Sequence, residues 1–215
     1  MQALPFYVYA VFILTVITAI GLFFRAAHYS KPLLLIIAVW MILQSILGRN
    51  NFYIINTVPP RFLLLAVPPL LLLMMLLAIP AGRRFIDNLH VGTLTLLHTV
   101  RIPVEIVLYW LFIHKTIPAV MTFEGRNFDI LSGLSAPFIW YWGIVKGRLN
   151  KTFLLVWNLA CLALLLNIVA ISIHAAASTF TPFAIGYFPF MLLPGCLVPL
   201  VLYSHVAAIR QLLIK

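Results

Sequence analysis

One apolar run of this chain carries charge in its middle. The segment from Asn88 to Lys115 reads NLHVGTLTLLHTVRIPVEIVLYWLFIHK, with His98, Arg101 and Glu105 deep within it. At about 100° per residue, His90, Thr95, His98, Arg101, Glu105 and Tyr109 fall on one side of a helix. A charge facing lipid at mid-helix costs about 2.5–3.5 kcal/mol on the insertion scale, so this face is expected to look into a helical bundle or a wet cavity. Arg101 and Glu105 stand at i and i+4 and are within reach of mutual neutralisation. Pro103 removes one backbone N–H and frees the Thr99 carbonyl, which predicts a kink.

The segment MTFEGRNFDILSGLSAP follows. Glu124, Arg126, Asn127 and Asp129 cluster where the chain re-enters an apolar run, and Gly125 permits a tight turn. Asn127 or Asp129 could cap the helix that begins there. Beyond the cap, Asp129, Ser132, Gly133, Ala136 and Trp140 make a small, polar stripe. Small residues let helices approach closely, so the stripe is expected against the polar face of the preceding run, with Trp140 at the inner end of a shared cavity. His98, Arg101, Glu105, Glu124, Arg126, Asn127, Asp129 and Trp140 are therefore the expected site for a ligand, a proton or an ion. Arg49, Asn50 and Asn51 are candidates for its mouth.

The other polar features carry less. His28, His90 and His205, each near the inner end of an apolar run, are the only candidates for a three-ligand zinc site, but no two of them share the short spacing of a metal motif. Asn158 and Asn167 read as interhelical hydrogen bonds, worth about 0.6 kcal/mol each. The other tryptophans, Trp157 among them, read as interfacial anchors. Cys161 and Cys196 sit in apolar runs and suggest neither a disulfide framework nor a metal motif. No metal and no cofactor is expected.

These groups require elements that hold them in an apolar setting, and the composition supplies it. Of 215 residues, 64% are hydrophobic and 8% charged, against roughly half and a quarter in soluble domains. This excludes a soluble domain, a disordered chain and a nucleic-acid partner, and makes the lipid bilayer the expected partner. Spans of about 20 apolar residues are read at roughly 4–24, 32–48, 62–80, 88–113, 128–146, 152–173 and 186–208. The expected fold is all-α: a polytopic bundle of about seven transmembrane helices in a single integral membrane domain, 1–215, since lipid tolerates only structures that satisfy their own backbone.

The first run has no basic residue before Arg25, unlike a secretory signal. Arg25, Lys31, Arg83, Arg84, Lys146, Arg148, Lys151, Arg210 and Lys215 would lie on one side, and Arg49, Arg61, Lys115 and Arg126 on the other. That bias predicts the N-terminus outside and the C-terminus cytoplasmic, so the net charge of +10 reflects orientation rather than a polyanion partner.

Signatures of seven-helix families are missing. The run from Ile185 to Ala208 has no lysine for a retinal Schiff base, and Gly133-Leu134-Ser135-Ala136-Pro137 lacks the second glycine of a serine-nucleophile turn. His205 stands alone where ceramidase-type membrane hydrolases pair histidines, and no repeat relates the first and last three spans. The leading expectation is a small transporter or ligand-binding protein of a bacterial inner membrane, taking a small polar or anionic molecule from outside. The alternatives are an intramembrane enzyme acting on a lipid or isoprenoid, with Glu124 or Asp129 as acid or base and His98 assisting, and a structural or sensory bundle.

Overall fold

The computed structural model describes residues 4–55, 57, 60–179 and 184–214, with the side chains of 176–179 excepted. Lys215, counted above among the inner basic residues, lies outside them. Among the described residues the structure is helical, without strands. The helices are α1 (Phe6–Ala26), α2 (Lys31–Arg49), α3 (Leu63–Ala78), α4 (Pro80–Asp87), α5 (Val91–Leu97), α6 (Arg101–Ile113), α7 (Ile130–Ile139), α8 (Lys151–Thr179) and α9 (Val198–Ile214).

Five helices, some of them assembled from abutting pieces, are long and apolar enough to cross a membrane: Phe6–Ala26, Lys31–Arg49, Val91–Ile113, Lys151–Ala175 and Leu193–Ile214. The segment expected as one span at 62–80 is instead a bent pair. Ile79, preceding Pro80, is extended (φ −92°, ψ 142°), as the clash with a following proline ring demands, and α3 and α4 meet at 100°. Counted as one span, the pair raises the number to six. The run expected at 128–146 forms a shorter apolar helix, Ile130–Val145. Its second part is a π-helical turn, Trp140–Val145, just after Pro137 has withdrawn a backbone donor.

The expected break near Pro103 takes the form of a 3₁₀ turn at His98–Val100 joining α5 to α6. Pro103 itself falls in the first turn of α6, where its missing N–H leaves no broken bond.

The packing places polarity inside. Along α1 the buried residues Val8, Phe12, Thr15, Val16, Ala19, Phe23 and Ala26 repeat at helical spacing and meet α5 and α6. Helix α9 packs on α5 and α8. Large apolar side chains such as Leu35, Ile42, Leu71, Met74, Phe138 and Leu166 are exposed on the outside, a distribution that suits hydrocarbon surroundings.

Candidate functional site

The site begins at the 3₁₀ turn. His98, Arg101 and Glu105 point inward from it, as their shared face predicts, and all three are at most 2% exposed. Helix α7 can lie close by because Gly133 has no Cβ: a methyl there would stand 2.9 Å from Ile102 Cγ1 and 3.0 Å from the Ile102 backbone nitrogen. Ser132, Gly133 and Ala136 are buried on that face, so the small-residue stripe does pack against the charged run.

The pairing of Arg101 differs from expectation. Its Nη1 lies 3.2 Å from Asp129 Oδ1, not paired with Glu105. Nη1 also donates to the Cys161 carbonyl at 3.3 Å and Nη2 to His205 Nε2 at 3.1 Å. The carboxylate of Glu105, one turn on, instead accepts from Asn127 Nδ2 at 2.6 Å. Asn127 donates as well to the Met121 carbonyl (3.1 Å), and its Oδ1 accepts from the Asp129 backbone N–H (3.1 Å). Asp129 thus does not cap α7 with its side chain. Turned toward a guanidinium, the carboxylate gains a full charge partner rather than a partial helix-end charge.

His205 departs furthest from the sequence expectation, which places it near an inner helix end with His28 and His90. It is fully buried, and its ring stacks on His98 with centroids 4.0 Å apart and planes 18° from parallel. Helix α9 runs on from it to Ile214, about 14 Å further at 1.5 Å per residue. His205 therefore sits well inside the helix, beside His98.

The Asn158 amide donates to the Leu154 carbonyl at 2.9 Å, so its Oδ1 faces His205 Nδ1 at 3.2 Å and takes that proton. His205 Nε2 is then the acceptor for Arg101. Trp157, expected as an anchor, meets His98 edge-on at 5.7 Å and donates its indole N–H to Ser135 at 3.0 Å. Trp140 is half-buried at the start of the π-helical turn, and the indole at the site is Trp157.

Two expected members lie elsewhere. Glu124 and Arg126 are exposed. Glu124 lies beside the Tyr109 hydroxyl, and the Arg126 carbonyl accepts from Asn167 at 3.0 Å. Arg49 stacks over Phe188 at 5.0 Å, Asn50 bonds back to the Ile46 carbonyl, and Asn51 takes a left-handed turn (φ 56°), so this trio ends α2. His28 Nε2 bonds the Asn88 carbonyl at 2.8 Å, and His90 Nδ1 accepts from the Thr93 backbone N–H. These two do not gather with His205, and no metal-type cluster of three occurs among the described residues.

The assembled site therefore unites His98, Arg101 and Glu105 with Asn127, Asp129, Asn158 and His205, all at most 5% exposed. His98 Nδ1, Arg101 Nε and Glu105 Oε2 are buried there without a hydrogen-bond partner. Beside the network, a groove of about 500 Å³ opens sideways between α7 and α8, walled by Ser132, Ser135, Phe138, Trp157, Cys161 and Leu164. The members that the sequence did not assign to this site had a signal: Asn158 and His205 are polar residues in apolar helices, and buried polar groups require partners.

Fold and site define an all-helical protein with several membrane-length helices around a buried ionisable network. Comparison with known proteins finds no matching family model, curated sequence or solved structure.

Proposed function

We propose that the protein is a small multi-pass membrane transporter or ligand-binding protein of a bacterial-type inner membrane, whose buried network accepts a small polar or anionic solute together with protons. The partnerless atoms of His98, Arg101 and Glu105 carry this reading. A network serving only to fix helix register would close its own hydrogen bonds, because each unmet buried group costs about 1–3 kcal/mol. Arg101 Nε offers a donor, Glu105 Oε2 an acceptor and His98 Nδ1 a proton site. On this reading the α3–α4 pair and Ile130–Val145 each cross the membrane, giving seven crossings, with the N-terminus outside and the C-terminus cytoplasmic.

The test uses proteoliposomes loaded with a pH-sensitive dye, with acetate, lactate and phosphate as probe anions. Wild type is expected to move protons with at least one probe, and Glu105→Gln to abolish that movement. Proton movement unchanged by Glu105→Gln across a pH series eliminates the proton role; no movement of any probe by wild type rejects the transport reading.

The lateral groove favours one second reading, an intramembrane enzyme acting on a lipid or isoprenoid. Its wall reaches Ser132 and Cys161, and the Cys161 carbonyl bonds Arg101. Asp129, not the exposed Glu124, is then the acid–base group. Conversion of a bilayer lipid by wild type and not by Asp129→Asn separates this reading from transport.

A further inference from the structure

A second cavity lies where α4, α5, α8 and α9 meet, away from the buried network. It has a volume of about 490 Å³ and is lined by residues of several elements, among them His28, Asp87, His90, Ile144, Lys151 and Gln211. Its size falls within the roughly 300–1,000 Å³ of small-molecule sites. The elements are joined there by specific bonds: His90 N–H to the Ala26 carbonyl at 2.9 Å, and Gln211 Nε2 to the Ile86 and Leu89 carbonyls at 3.0 and 2.8 Å. The cavity is thus a built feature of the fold.

Its polar groups are arranged for an anion. The Thr93 backbone N–H donates to His90 Nδ1 at 3.1 Å, so neutral His90 carries its proton on Nε2, which is a donor. Lys151 begins α8, where the helix dipole opposes a cation, and an anion beside it would relieve that opposition. The one acid of the wall, Asp87, is held by Arg210 through two bonds of 2.7 and 3.0 Å. Leu89, Val91, Ile144 and Leu212 give the cavity an apolar side. Arg25, Arg83, Arg84, Lys146 and Arg148 belong to the same segments or their immediate neighbours.

We propose that this cavity binds the phosphate of an anionic membrane lipid, with Lys151 as the charge partner, the His90 Nε2–H as a donor and the apolar side against the glycerol and upper acyl chain. Basic pockets between membrane helices suit such headgroups. A free phosphate shares the polar chemistry but has no use for the apolar side. This site is separate from the buried network, and its failure would leave the transport reading intact.

The experiment titrates the purified full-length protein in detergent with phosphatidylglycerol, phosphatidylcholine and inorganic phosphate, counting bound molecules by native mass spectrometry. Phosphatidylglycerol is expected to bind at one preferred site. Lys151→Gln, at an exposed position, and His90→Asn, which keeps an acceptor for Thr93, are each expected to weaken it about tenfold, the value of one charge-assisted bond. Arg148→Gln, outside the cavity lining, is the control and is expected to leave binding within about twofold. Equal weakening by the control and the cavity variants overturns the proposal in favour of diffuse surface charge. Equal binding of phosphatidylcholine, or saturation by inorganic phosphate that displaces the lipid, overturns the assignment to an anionic lipid.

Discussion

Replacing Asp129 by leucine would strand the Arg101 guanidinium inside the bundle. At 3.2 Å, opposite charges in an effective dielectric of about 20 attract by about 5 kcal/mol. Loss of one partner from a buried pair costs about 3–5 kcal/mol. The Cys161 carbonyl and His205 still engage Arg101, so the lower end, about 3 kcal/mol, is expected. Adding Arg101→Met should restore most of the loss, because the uncompensated charge is gone. The measurement is reversible unfolding in mixed micelles, run as a double-mutant cycle. A parallel cycle for Arg101 and Glu105 is expected to give a coupling below about 1 kcal/mol. Equal coupling in the two cycles would refute the assignment of Asp129 as the partner.

Three further outcomes are expected. Gly133→Ala should destabilise by about 1–3 kcal/mol, and Ile102→Ala should rescue only part of this in the same unfolding assay, because the Ile102 backbone nitrogen stays in place. Asn127→Ala removes two donated bonds and one accepted bond and should cost about 2–3 kcal/mol, read by denaturant midpoint. Tyr53, outside the spans, has its hydroxyl pushed up from 10.0 to about 12 by burial. The folded state therefore keeps the proton longer than the unfolded state. Stability is full below about pH 10 and falls as pH rises toward about 12; Tyr53→Phe should flatten that fall in melting curves.

The inward face of His98, Arg101 and Glu105 is legible in the sequence because charge cannot face lipid, and the Gly133 stripe because close packing needs small residues. The partner of Arg101 is not. Spacing at i and i+4 shows only that Glu105 is within reach, whereas the third dimension decides that Asp129 arrives nearer and that Asn127 claims Glu105. His205 looks interfacial from sequence because the last apolar run fades at 208, while α9 continues to Ile214. Asn158 and Trp157 lack any local pattern linking them to α6. The bend at Ile79 is written in Pro80, but a window of uniform hydropathy hides it.

Trp157 gives the buried network an optical reporter of its own. The chain has five tryptophans, and this is the one whose ring meets His98. With Trp40, Trp110, Trp140 and Trp142 replaced by phenylalanine, the remaining emission would come from an indole in contact with the site. Any solute, proton or side-chain rotation that alters His98 would then be read as a change in light, with no label attached and no ligand chosen in advance.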